Sequence, residues 1–173
     1  MCSEMNREQP LLALIEIPRG SRNKYEYDEK LGRFRLDRVL YSPLHYQSDY
    51  GLILDTLSSD GDPLDVLVIV YEPTFTGCVV PIRPIGVLLM RDEKGIDEKV
   101  VAVPVSDPRL REVQRLADLP SHLLREIERF FTVYKDLEEK EVEVYGWADV
   151  EAAWKLIEEA QQRHRLAQGR FRG

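Results

Sequence analysis

A chain of 173 residues is of single-domain size, and a domain of about 150 residues buries roughly 68–70% of its unfolded surface, so it needs no staple to hold a core. With 43% hydrophobic and 32% charged residues its composition is neither disordered nor membrane-spanning, and its longest apolar runs, Val66–Val70 and Ile85–Met90, are far too short to cross a bilayer. A net charge of −7 argues against broad binding to nucleic acid or an anionic membrane, although carboxylates can still hold phosphate through divalent cations.

The N-terminal stretch from Met1 to Pro10 is polar and lacks the apolar centre of a signal peptide, which predicts a cytoplasmic protein. Cys2 and Cys78 are too few for a disulfide framework and wrong for a zinc site. From Leu11 to about Ser106 the chain reads as short strands over 11–17, 24–29, 33–40, 50–54, 65–72, 78–90 and 99–106, punctuated by Gly20, Gly32, Gly61, Gly77 and Gly95. Many short strands so punctuated predict a small barrel or sandwich, with a bulge or edge at Pro81 and Pro84.

After Pro108 the period changes. Leu123, Ile127, Phe130, Phe131 and Tyr134 recur at helical spacing within 120–135, the pattern of an amphipathic helix lying on the sheet. A last strand is expected over 141–145, then Asp149 as N-cap of a closing helix with its stripe at Val150, Ala153, Trp154 and Ile157. The tail from Arg163 is basic and aperiodic, and is expected to be a solvated end, mobile from about residue 165. With no repeat and no sharp shift in composition, residues 1–173 are expected to form one domain.

Asp60, Asp62 and Asp65 crowd the mouth of an apolar run. Neighbouring carboxylates repel one another, so they call for solvent, a proton, a nearby base or a cation. On extended chain Asp60 and Asp62 would face one side. Asp, Gly and Pro are also turn formers, and a polar hairpin turn explains the segment taken alone. A calcium-binding EF-hand loop fails, because its sixth and twelfth positions counted from Asp60 are Asp65 and Tyr71 rather than glycine and glutamate. Further acids stand in the segment Met90–Lys99, in Ile15-Glu16-Ile17, and in Lys24-Tyr25-Glu26-Tyr27, where Lys24 and Glu26 share a face. Each could be the polar side of a half-buried strand or a hairpin tip. Together with scattered cations they could hydrolyse a phosphoanhydride. Hard oxygen ligands select Mg²⁺ or Mn²⁺, and His45, His122 and His164 lack ligand spacing. Such metals polarise phosphoryl oxygens and acidify water, a free carboxylate takes the proton, and Lys or Arg offsets phosphate charge.

Six segments, IEIPRGSRNKYEYD (15–28), LDRVLYSP (36–43), DYGLI (49–53), SSDGDPLDVLV (58–68), RPIGVLLMRDEKGIDEKVVAVP (83–104) and FFTVYKDLE (130–138), resemble the soluble inorganic pyrophosphatases of family I, bacterial type, in order and over nearly the whole chain. The resemblance implies an α+β fold dominated by β, a five-stranded OB-like barrel with C-terminal helices packed against it. It also implies a Mg²⁺-dependent, cytoplasmic homohexamer acting on pyrophosphate. Position by position, it implies that Asp60, Asp65 and Asp97 bind a tight metal, with Asp65 shared by a second that activates water. Asp62 would be the general base. Asp92 and Asp97 would hold a metal arriving with substrate, and Glu16 and Glu26 a further one. Lys24, Arg38, Lys99, Tyr134 and Lys135 would grip phosphate, Tyr50 would stand near the nucleophile, and Glu93 would support the site from behind.

One departure stands out. Before its Tyr-Gly pair the family usually carries a proline and an asparagine, where this chain has Gln47 and Asp49. The change is expected to free the loop and add charge near the site. A non-catalytic OB-like binding module, or a hydrolase of another phosphoanhydride, remains the alternative. No Walker-type glycine loop is present for a nucleotide.

Overall fold

The computed structural model describes residues 7–170, so Cys2 and most of the polar N-terminal stretch lie outside it. The elements in chain order are β1 (Leu11–Ile17), β2 (Asn23–Asp28), β3 (Arg33–Val39), β4 (Asp49–Ile53), β5 (Asp65–Val68), β6 (Val79–Asp92), β7 (Gly95–Ile96), β8 (Lys99–Pro104), α1 (Ser121–Val133), β9 (Glu143–Ala148) and α2 (Val150–Gly169), with short 3-10 turns at Pro108–Leu110, Leu116–Asp118 and Asp136–Glu138.

β1 pairs with β4, β4 with β5, β5 with β8, β8 with β6, and β6 returns to β1, closing a ring of five strands. All of these pairings are antiparallel except β5 with β8. Closure leaves the ring with no unpaired edge. This is the β-dominated α+β fold, a barrel of five strands carrying C-terminal helices, that the family resemblance implies, and it resolves the choice of barrel or sandwich that the glycine-punctuated strands left open. β6 is 14 residues long, so its first half serves the ring while its last turns pair with β7 and β9. The bulge expected from the prolines falls between Pro84 and Gly86, where the β6–β8 register shifts. β2 and β3 form a separate antiparallel hairpin that sets Lys24 opposite Arg38.

β5 and β8 read as unbroken apolar runs because both of their faces are covered. Val66, Val68, Val100 and Ala102 join the cluster beneath α2, with Ile157 and Ala160. The alternate residues Leu67, Val101 and Val103 turn to the cluster beneath α1, with Ile127, Phe130 and Phe131. Gly51 lets β1 and β4 approach closely, since a Cβ there would collide with the backbone carbonyl of Leu14. That fixes the strand on which Tyr50 stands.

Two boundaries differ from the expectation. The last strand lies at Glu143–Ala148 rather than 141–145, running directly into the Asp149 cap, whose carboxylate accepts from Ala152 N–H. α2 continues to Gly169 and takes in residues 163–169, expected as an irregular tail. Arg, Leu, Ala and Gln are strong helix formers, and propensity extends the helix there without a buried stripe to mark it. Among the described residues no helix is long and apolar enough to cross a membrane.

Candidate active site

Rather than extended chain, Ser58–Asp62 is a tight turn. Asp60 Oδ1 accepts from Ser58 Oγ at 2.6 Å and from the Asp62 backbone N–H at 2.9 Å, an Asx-type closure around Gly61 at φ +92°. Two consequences follow. Asp60 is oriented by its own loop, and the Asp62 carboxylate is left with no hydrogen bond or ion pair among the described residues. Asp65 then opens β5, whose parallel neighbour β8 begins at Lys99.

Lys99 is 1% exposed and forms the floor of the site. Its ammonium donates to Tyr50 Oη at 2.7 Å, to Asp65 Oδ2 at 3.1 Å and to Asp97 at 3.0 Å. These acceptors take up its three N–H donors, so the ammonium faces carboxylates rather than open cleft. Above it lies a cleft of about 160 Å³, lined by Glu16, Lys24, Glu26, Tyr50, Asp60, Asp62, Asp65, Asp92, Asp97, Lys99, Tyr134 and Lys135. The cleft draws on β1, the β2–β3 hairpin, the Asp60 turn, the β6–β7 hairpin and the end of α1. On its far side Lys135, just past α1, pairs with Asp92 at 3.2 Å and Glu93 at 3.3 Å.

Arg38, expected to grip phosphate, does not line the cleft, and neither does Glu93, which was expected only to support the site from behind. Arg38 sits behind it, its Nη1 on Asp37 Oδ2 at 2.6 Å and its Nε 2.9 Å from Glu138. Glu93 braces Lys135 and stands 3.8 Å from Lys140. Asp49, expected to add charge to the site, does not reach it. It is fully buried and accepts from the backbone N–H groups of Arg19 and Thr74 and from the Thr74 hydroxyl, at 2.8, 3.1 and 2.6 Å. Alternation along β4 sends Tyr50 into the cleft and Asp49 away from it.

The structure also adds lining residues that were not assigned a role from sequence: Tyr25, Tyr46, Lys94 and Ile96. Lys94 follows from the pairing of Asp92 with Gly95, because so tight a hairpin tip carries its side chains over the acidic strand ends.

The electrostatics are those of carboxylates short of positive charge. Burial pushes Glu16 up to about 7, against the stabilising hydrogen bond from Tyr27 N–H. Burial likewise pushes Asp97 up to about 6, with Lys99 opposing and Asp65 adding repulsion. Asp62 is raised by partial burial and by Asp60. Burial would also raise Asp92, but the Lys94 N–H and the Lys135 ammonium outweigh it and hold the group below its ordinary value. Burial alone would lower Lys99, yet Asp65, Tyr50 and Asp97 keep it charged.

A divalent cation fits this donor set by its chemistry. The cleft offers hard carboxylate oxygens, and burial raises the proton affinity of two of these groups, Glu16 and Asp97, a cost that a bound cation would offset. Among the described residues no three acidic, imidazole or thiol groups already converge into a cage, and the Lys99 ammonium stands between Asp65 and Asp97.

The comparisons with known proteins agree with one another. The family model of the inorganic pyrophosphatases matches residues 13–165. The inorganic pyrophosphatase of Halalkalibacterium halodurans is 56% identical over 153 residues, covering 88% of this chain and 94% of that protein. That of Methanosarcina mazei is 51% identical over 160 residues, covering 92% and 95%. The crystal structure of the Thermus thermophilus inorganic pyrophosphatase superposes with a TM-score of 0.90 at 43% identity, covering 95% of this chain and 97% of that one. With its ring of five strands, its acidic cleft and these matches along nearly its whole length, the chain belongs to the inorganic pyrophosphatase family.

Proposed function

We propose that this chain hydrolyses inorganic pyrophosphate to two phosphates with Mg²⁺, or Mn²⁺ in its place, in the cleft between Asp62 and Lys135. The observation that carries this reading is the gathering of Asp60, Asp62, Asp65, Asp92 and Asp97 in the lining of one cleft together with Lys24 and Lys135. Asp60, Asp65, Asp92, Asp97, Glu16 and Glu26 would hold the cations, which when bound polarise phosphoryl oxygens and acidify water.

Asp62 receives the proton of the attacking water. Among the described residues its carboxylate has no hydrogen bond or ion pair, and its proton affinity is raised, both of which suit a general base. As water bonds to one phosphorus, the bridging P–O bond breaks and the second phosphate departs with the bridging oxygen. Lys24 and Lys135, with the Tyr134 hydroxyl, offset the charge that moves onto the departing group, and Arg38, held by Asp37 and Glu138 outside the lining, joins them through its remaining Nη2. Tyr50 borders the nucleophile side and is held in place by Lys99. Lys99 itself reaches a phosphate only on releasing one of the groups it now holds.

Phosphate release from pyrophosphate, with Mg²⁺ and with EDTA, tests the reading. Turnover is expected with the metal alone, and its absence, or an equal rate in EDTA, overturns the proposal. We extend the proposal to a cytoplasmic homohexamer, for which the family resemblance is the support. Sedimentation velocity reads the assembly directly, and a monomer would contradict it.

A further inference from the structure

Arg38 has three kinds of N–H to place. Nη1 is taken by Asp37 at 2.6 Å, Nε lies 2.9 Å from Glu138 Oε1, and Nη2 has no partner among the described residues. Glu138 ends the 3-10 turn that follows Lys135, and its side chain is 5% exposed, beside an Arg38 side chain that is 22% exposed. Close as the two are, the buried Nε–H makes no hydrogen bond, and neither does the buried Glu138 Oε2. A buried carboxylate oxygen and a buried guanidinium N–H left unpaired side by side are costly, and a small rotation of the guanidinium brings Nε onto the carboxylate. The pair also joins two parts of the fold that carry phosphate-facing cations separately: the β2–β3 hairpin, with Lys24 opposite Arg38, and the segment after α1, with Lys135.

We infer that Glu138 is a positioning residue, whose carboxylate orients the Arg38 guanidinium and ties the β2–β3 hairpin to the Lys135 segment, so that Nη2 is presented to a phosphate. The inference rests on the reading of Arg38 as a phosphate ligand. In this arrangement Asp37 and Glu138 hold two edges of the planar group, which lowers the entropy lost when the third meets an anion. Glu138 acts through Arg38 and touches no substrate.

A double-mutant cycle tests this with Glu138→Gln, Arg38→Lys and the pair, read by equilibrium binding of methylenebisphosphonate with Mg²⁺ and by the KM for pyrophosphate. Losing a charge-assisted contact corresponds to about a tenfold effect. Glu138→Gln is therefore expected to weaken analogue binding and raise KM about tenfold, with kcat changed much less. In the Arg38→Lys background the same change is expected to add less than about twofold. Glu138 also lies 4.0 Å from Lys140, so Glu138→Gln takes the anion from two cations and its melting temperature is expected to fall; the split of KM against kcat and the non-additivity with Arg38→Lys are what a merely structural role does not produce. Glu138→Asp, which keeps the charge and shortens the reach, serves as the second variant and is expected to fall between. Unchanged binding in Glu138→Gln, or full additivity with Arg38→Lys, overturns the inference. If Arg38→Lys alone leaves binding unchanged, the assignment of Arg38 to phosphate fails first and takes this inference with it.

Discussion

The ammonium of Lys99 donates a 2.7 Å hydrogen bond to the phenol oxygen of Tyr50 beneath the acidic cleft, where Lys99 is 1% exposed. The same ammonium pairs with both Asp65 and Asp97. Lys99→Met removes the one cation from between two carboxylates, and breaking a buried ion pair from one side costs about 3–5 kcal/mol. Urea denaturation of the metal-free protein is expected to show a loss in that range. Added Mg²⁺ should recover part of it, because a cation bound only by the folded state stabilises that state. A loss under about 1 kcal/mol contradicts the central place given to Lys99.

Glu16 and Asp97 make the metal-free protein sensitive to pH in a definite direction. Their folded values of about 7 and about 6 lie above the ordinary 4.5 and 3.8. Between about pH 4 and pH 7 the folded state holds more protons than the unfolded chain, so these two groups lower stability as pH rises through that window. On the proposed reading Mg²⁺ binds the ionised form and displaces the protons. Melting temperatures with Mg²⁺ and with EDTA are expected to diverge from about pH 5 and to level off above about pH 7. A gap that stays constant with pH would show that neither carboxyl is coupled to the metal.

Asp62→Asn keeps the backbone N–H that closes the turn on Asp60 and removes only a carboxylate with no hydrogen bond or ion pair among the described residues. Its stability is expected to stay within about 0.5 kcal/mol of the parent, while kcat falls by about 10²–10⁴. Phosphate release beside a thermal melt checks both. Activity within about tenfold of the parent would place the base elsewhere.

Asp49→Asn provides the opposite pattern. Two backbone N–H groups and a hydroxyl point at the Asp49 carboxylate, one set on each oxygen, so a side-chain NH₂ must face a backbone N–H in either orientation. Leaving such a donor unsatisfied costs about 1–3 kcal/mol, which chemical denaturation can measure. Because Asp49 lies outside the cleft, kcat/KM for pyrophosphate is expected to stay within about twofold. A large kinetic effect with unchanged stability would return Asp49 to the site.

The strands were legible because glycine turns and β-branched runs are local signals. So was Asp149, whose capping role needs only the residues after it. Less legible were features set by partners remote in sequence. The end of α2 has helix formers but no buried stripe, and β9 takes its register from β6. In the site, Asp60, Asp62 and Asp65 are neighbours in sequence and could be read together. Glu16, Asp97 and Lys135 come together only through the ring and the docking of α1, and the ordered motifs alone pointed to them. Lys94 stands in a segment read as a hairpin tip and Glu138 received no reading of its own, since a place over the cleft or burial beside Arg38 is set by partners remote in sequence. Asp49 was misread for the converse reason. It is next to Tyr50 in sequence but on the other face of the strand.

The parallel pairing of β5 with β8 has a kinetic consequence. It joins Asp65 to Lys99 across 34 positions of chain, and neither strand can meet the other until the long β6 excursion between them has turned back. Contacts of such separation demand loop closure before they return any stabilisation, and they slow folding. The carboxylates proposed to hold metal therefore come into register only as the ring closes, so early folding species hold those acids apart. Recovery of pyrophosphate hydrolysis after dilution from denaturant should lag the recovery of helical signal from α1 and α2, whose turns form locally.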